Sequence, residues 1–242
     1  MSVSTDPIAA LEQGPEVTDV DLSGADPEAL REALTAGGRW VLRRCVLTGL
    51  DLSGVDLGTA TLERCDLTRV RLRGAVLDGA RIEGGSLAQA DLADADLTDA
   101  VLRGVDLSRA RLVGARLTDT TFRDCRMIGV DLTGMRSLAV TFSVDGCSLA
   151  LARLADAALR GWRLERVDLS DADLSGADLR EAVLTDCALR GTDLTHARLE
   201  GADLRGADLG EITPETPAVL RGAIVSPEQA ADVCRALGLQ VI

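Results

Sequence analysis

The sequence has no tyrosine, and aromatic residues make up only 2% of its 242 positions. That is too few for a surface that binds single-stranded nucleic acid by stacking its bases. One histidine, His196, excludes a multi-histidine metal site. The six cysteines include no CxxC pair. The glycines follow no GxxxxGK[ST] phosphate loop. No apolar run approaches the ~18 residues of a membrane span. The opening MSVSTDPIAALEQG lacks the basic start and apolar core of a secretory signal, so the expected location is cytoplasmic, with reduced thiols. Positive charge is also in deficit. Lys+Arg total 26 against 39 Asp+Glu, a formal net charge of -13. This opposes unaided binding to a phosphate backbone and suits a basic protein partner.

Apolar residues are not lacking. They reach 46%, mostly Leu, Ala and Val, which argues against disorder. The length suits one large domain or two. The apolar residues repeat every five positions, as in ADLADADLTDAVLRG from 90 to 104. Stepping by five from Leu47 to Phe142 meets Leu, Ile, Met or Phe everywhere except Ser137. Stepping from Leu149 to Leu209 meets only Leu. Two residues before each large position stands a mostly small one: Ala, Val, Cys, Gly or Thr. The remaining positions are mostly Asp, Arg, Ser, Thr, Gly or Glu.

A period of five is neither helical nor a plain strand period. A spacing of two puts the small and the large side chain on one side of an extended segment. The next three residues turn a corner. Four corners close a square coil of 20 residues and three close a triangular coil of 15; the spacing leaves both open. Either coil must stack on copies of itself to bury its interior.

The register shifts once. Phe142 to Leu149 spans seven residues, so SVDG or its neighbours carries two extra, and a bulge or short loop is expected near 133–147. Residues 1–39 read as an N-terminal segment. It holds one early unit, Val20–Gly24, and a short helix, PEALREALTA, capped by Asp26 and stopped by Gly37 and Gly38. The coils occupy 40–225. Ala218–Leu220 and Ala223–Val225 read as closing strands. Residues 226–242 form a capping helix and tail, with Ser226 as N-cap, Pro227 at N1 and Gln229 at N3. Its Ala230, Val233, Cys234 and Leu237 are expected to face the open end of the stack or a second copy, since a final strand edge needs cover.

Other residues carry bland readings. Cys45, Cys65, Cys125, Cys147 and Cys187 fill small inward slots and read as buried core. His196 reads as a surface corner residue. Trp40 reads as an end cover. Trp162 stands where Ala is usual, so either the coil distorts or the ring turns outward as a contact. Catalytic carboxylate pairs need a cleft, which a filled coil does not offer. No enzyme activity, cofactor or metal is expected.

The pattern resembles the pentapeptide-repeat family, whose units read A(D/N)LXX, over about residues 40 to 210. The resemblance implies an all-β solenoid, specifically a right-handed quadrilateral β-helix with four units per coil, here with short terminal helices. It also implies a class of function. Some members protect DNA gyrase from quinolones, imitate duplex DNA in size, shape and charge, and dimerise through the C-terminal end.

With four units per coil, residues twenty apart stack. Asp51, Arg71, Asp91, Arg111 and Asp131 then alternate in a ladder of exposed ion pairs, unlike an uninterrupted carboxylate row. The candidate acidic binding surface lies in other columns: Asp56 and Asp96, Asp66 and Asp106, Asp168 and Asp208, adjacent Asp173 and Asp193, and Asp203. Asp94, Asp99, Asp171 and Asp186 add corner charges. The expected function is a non-enzymatic acidic solenoid that binds a protein partner, DNA gyrase first, without touching nucleic acid or membrane. The alternative is a structural or interaction scaffold unrelated to DNA enzymes. A homodimer through the C-terminal end is part of the first reading.

Overall fold

Each five-residue unit contributes one short extended segment and one corner, so strands stay at three residues and pair only from coil to coil. The computed structural model describes residues 7–36, 38–136 and 141–241. Nine strands pair in parallel and in sequence order along one side of the rod: β1 (Glu16–Thr18), β2 (Val41–Arg43), β3 (Thr61–Glu63), β4 (Arg81–Glu83), β5 (Val101–Arg103), β6 (Thr121–Arg123), β7 (Ser143–Asp145), β8 (Arg163–Glu165) and β9 (Val183–Thr185). Val41 pairs with Thr61 and Thr61 with Arg81, a step of twenty residues, so four units make a coil. The other three sides hold one backbone bridge per coil. The first runs through Asp66, Ser86 and Asp106, the second through Asp51, Arg71 and Asp91, and the third through Asp56, Val76 and Asp96.

The large positions converge on the axis. Leu52, Leu72, Leu92 and Leu112 stack on one side of the core, none more than 1% exposed. A fully buried leucine contributes about 1.5–3 kcal/mol, and here that burial exists only between coils. In the regular coils three corners are closed by a hydrogen bond from the small residue's N–H back to the large residue's carbonyl, as in Val55 to Leu52, Ala60 to Leu57 and Val70 to Leu67.

The fourth corner, after each strand of the nine-stranded side, has no such bond among the described residues. The cysteines sit immediately after it. All five inward thiols share one column, with Gly85, Val105 and Val167 between them. The Cys45 thiol donates to the Val17 and Arg43 carbonyls, Cys65 to Leu42 and Glu63, and Cys125 to Leu102 and Arg123. Thr120 and Thr192 make the same reach to Leu97 and Leu169 with their hydroxyls. The threonines do so from corners that also hold the turn bond, whereas the thiols occupy carbonyls at the corner that lacks it.

The register shift lies ahead of SVDG. Arg136 still bridges Arg116, twenty residues apart, but Ser143 pairs with Thr121, twenty-two apart. The two extra residues therefore enter between Arg136 and Ser143; Ser137 lies outside the described residues. Ser143–Asp145 is an ordinary strand and Gly146 an ordinary corner. The shift moves Phe142 from the large slot to the small one, above Thr120, and gives the large slot to Val144, paired with Phe122 and Leu164. Trp162 occupies the same small slot one coil later, 1% exposed, its ring centroid 5.3 Å from that of Phe142 at 48°. So the ring turns inward. Shrinking the large slot to Val144 makes room for two aromatic rings.

The ends are built differently. Helix α1 (Ala9–Glu12) precedes β1, and α2 (Pro27–Ala36) replaces two sides of the first coil, burying Leu30 and Leu34 over the core. Asp26 caps α2 through the Ala29 N–H at 2.9 Å; Gly37 lies outside the described residues. Trp40 is 2% exposed and donates its indole N–H to the Leu34 carbonyl at 2.6 Å. The buried indole N–H of Trp162 has no hydrogen-bond partner among the described residues. Trp→Phe removes similar volume at both sites, so the difference isolates one hydrogen bond. Trp40→Phe is expected to destabilise by about 1–3 kcal/mol more than Trp162→Phe, read from denaturant unfolding. Equal losses would contradict the cap's polar anchoring.

At the C-terminal end, residues 216–219 form a short helix, α3 (Thr216–Val219), where a strand was expected. Pro217 falls in its first turn, and proline removes the N–H that a ladder would use. Ile224 does close the stack, bridging Asp203. Helix α4 (Pro227–Ala236) has the expected capping box between Ser226 and Gln229. Ala230 and Leu237 are exposed, Val233 and Cys234 only half-buried, and α4 buries no residue fully, so within one chain these four positions do not seal the end of the stack. Its hold on the rod is polar. The Gln229 amide donates to the Leu204 and Ala207 carbonyls at 2.8 and 2.7 Å.

Candidate interaction surface

The nine aspartates proposed as a surface share one local geometry. In each, Oδ1 accepts the backbone N–H two residues ahead, at 2.9–3.1 Å, from Gly58 onto Asp56 to Gly210 onto Asp208. Where Ser or Thr follows, its hydroxyl can join, as Ser175 does on Asp173 at 2.6 Å. Aspartate before the large position therefore fixes the corner that follows. The repeat places carboxylates on every side for a structural reason, and only their arrangement bears on function.

They do not form one surface. Asp66, Asp106, Asp168 and Asp208 lie on the first side, Asp173 and Asp193 on the second, Asp56 and Asp96 on the third, and Asp203 on the strand side. Three are neutralised: Asp96 by Arg116 at 2.7 Å, Asp203 by Arg205 at 2.6 Å and Asp208 by Arg190 at 2.5 Å. Asp56, Asp66, Asp106, Asp168, Asp173 and Asp193 have no ion-pair partner among the described residues.

The ladder on the second side is real. Arg71 reaches Asp51 at 3.1 Å, Arg111 reaches Asp91 at 3.2 Å and Arg153 reaches Asp131 at 3.1 Å. Such exposed pairs contribute only about 0–1 kcal/mol each. The alternation then stops, and Asp173 and Asp193 stack on successive coils without an arginine between them.

Charge follows the same division along the whole rod. Residues 40–136 contain 14 arginines and 14 acidic residues, whereas 141–211 contain eight arginines and 14 acidic residues. The first half is neutral in sum and the second carries a net -6. The structure brings Asp168, Asp173 and Asp193 together on two adjoining sides of the acidic half, with Asp171 at the corner between them. The charge of Asp168 and Asp193 is held. The Thr195 hydroxyl and N–H lower the Asp193 pKa. Burial pushes Asp168 up, but Ser170 and Ser148 more than compensate and its pKa is lowered. Arg180 pulls Asp178 down to about 2.

His196 is an exposed corner residue with φ of 60°. No group of three or more metal-ligating side chains occurs among the described residues. No described helix is long and apolar enough to cross a membrane.

A model of pentapeptide repeats matches the chain in eight copies, over residues 59–94, 95–134, 147–186 and 173–210. The chain belongs to the pentapeptide-repeat family. Among solved structures, this pentapeptide-repeat protein is similar to HetL from the cyanobacterium Nostoc, a protein involved in regulating heterocyst differentiation. The two share 29% identity with a TM-score of 0.55, over 70% of this chain and 85% of HetL. It is also similar to a trypsin-treated form of QnrB1, a plasmid-mediated fluoroquinolone resistance protein. That match has 22% identity and a TM-score of 0.53, over 84% of this chain and 99% of QnrB1. The likeness to QnrB1 establishes the fold alone. A search of curated proteins finds no match.

Proposed function

We propose that this pentapeptide-repeat protein acts without catalysis, by binding a basic protein surface through the shape and charge of its C-terminal half, and that its partner is DNA gyrase, to whose DNA-binding surface an acidic rod presents an imitation of DNA. The observation that carries this reading is the unequal charge. The net charge of -6 lies in residues 141–211, where the ladder ends and arginines become fewer, on a rigid rod whose coils repeat at about 4.8 Å. Purified protein should inhibit gyrase supercoiling or protect gyrase from a cleavage-stabilising drug. No effect at any concentration, with the folded rod verified, would remove gyrase as the partner.

The same reading includes a homodimer through the C-terminal end. That end is the least finished part of the molecule. Val219, Ile224, Leu237, Leu239 and Val241 are 37–57% exposed. A cavity of about 310 Å³ opens between the last coil and α3, floored by Leu194, Leu209 and Leu220. Removing residues 226–242 should halve the solution mass. An unchanged mass with the rod still folded would count against the dimer.

A second reading, an interaction scaffold with no DNA enzyme as client, draws on the neutral half. The Asp–Arg ladder from Asp51 to Arg153 presents alternating charge that imitation of DNA does not need. An active gyrase assay decides between the two.

A further inference from the structure

Leu151 is 57% exposed, the most exposed large apolar side chain among the described residues of the coils. It stands at the corner between the first and second sides with φ of 60°. The same corner on neighbouring coils is held by Arg109, Gly129, Asp171 and Gly191. A left-handed backbone disfavours a branched side chain and suits glycine. The fold gains nothing visible from leucine there. Its N–H bonds the Ser170 carbonyl at 2.9 Å, which glycine would do equally, and the side chain stands in solvent. Beside it on the first side, Ile128 and Ala150 are half-buried and extend the apolar area. On the C-terminal flank lie Asp168, Asp171 and Asp173, none with an ion-pair partner among the described residues.

Eighteen described non-glycine residues take this left-handed corner and only Leu151 among them is apolar; exposed beside unneutralised carboxylates, it has the composition of a recognition patch: an anchor that enters a partner's pocket, with charge at its edge. We propose that Leu151, with Ile128 and Ala150, anchors a protein-docking surface whose partner is a polypeptide segment carrying an apolar side chain next to arginine or lysine. This rests on the reading that the rod works by binding a protein, and adds that charge alone does not make the contact. The carboxylates exclude nucleic acid as occupant.

The test is Leu151→Gly, which separates strain from recognition. The variant should unfold at a temperature equal to or above that of the wild type, because glycine accepts the corner. Two probes then read binding: a synthetic peptide alternating leucine with arginine, and a control alternating serine with arginine. The wild type should bind the leucine peptide at least about tenfold more tightly than the control, and Leu151→Gly should lose most of that preference. A preference unchanged in the variant, or none in the wild type, overturns the proposal. With gyrase as a third probe, the two readings part. A wild type that binds the leucine peptide through Leu151 but leaves gyrase unaffected sinks the gyrase assignment and keeps the docking surface. A wild type that acts on gyrase equally well with Leu151→Gly does the reverse.

Discussion

Gly85→Ala should destabilise the rod by about 2–4 kcal/mol and lower its unfolding midpoint by roughly 5–15 °C, measured by circular dichroism. Gly85 occupies the small slot one coil after Cys65, with φ of +78°. A Cβ there would stand 2.8 Å from the Cys65 backbone nitrogen and closer still to its carbonyl oxygen. That oxygen already accepts the Ser86 N–H at 3.0 Å. Both atoms that must yield are backbone, in the one corner type that no turn hydrogen bond closes. Gly54→Ala is the control. It has φ of +71° but nothing within 4 Å of a built Cβ, so only the conformational term remains, about 1–2 kcal/mol. Equal effects at the two sites would mean that the coils do not approach as closely as described.

The largest functional effect is expected from reversing three carboxylates together, Asp168→Arg, Asp173→Arg and Asp193→Arg. The change removes the net -6 of residues 141–211 where charge would steer a basic partner. It should weaken the effect on gyrase by about 10–100-fold at low salt, mostly through slower association. The matched set, Asp51→Arg, Asp91→Arg and Asp131→Arg, changes total charge equally but alters only the ladder, and should weaken the effect less than about threefold. Equal losses from both sets would reduce the function to total charge and remove the C-terminal half as the binding surface. Because each of these aspartates also fixes a corner, both sets need a check that the unfolding midpoint moves little.

The leucine spacing alone predicted stacked coils, because a five-residue beat with two inward positions has no other way to bury its apolar side chains. The choice of four sides over three came from resemblance, and the twenty-residue pairing of Val41 with Thr61 confirms it. The ion-pair ladder was equally legible once the coil size was known. The position of the extra residues was not. Phe142 satisfied the five-residue count while belonging to the small slot, and large apolar residues in both slots hide a two-residue slip. Trp162 was open between inward and outward for the same reason: its space comes from Val144, a substitution meaningful only after the register is known. The C-terminal helix showed its caps in Ser226 and Gln229, but not its packing. Gln229 serves both the helix cap and the last coil's carbonyls, so the apolar face of α4 is left half open. The role of aspartate in corners and the division of charge between the two halves were both present in the sequence. One is visible as Asp-x-Ser and Asp-x-Thr pairs, the other by counting each half separately. Leu151 had no signal, since a leucine two residues past the beat at Leu149 looks ordinary until its corner is shown to be left-handed.

The most direct measurement is hydrogen–deuterium exchange of the full chain with and without purified gyrase. Binding through the acidic half predicts that protection gained on adding gyrase concentrates in residues 150–210, around Leu151, Asp168, Asp173 and Asp193, while the ladder face from Asp51 to Asp131 exchanges as before. Protection centred on the ladder face, or none at gyrase concentrations where supercoiling is inhibited, would contradict it.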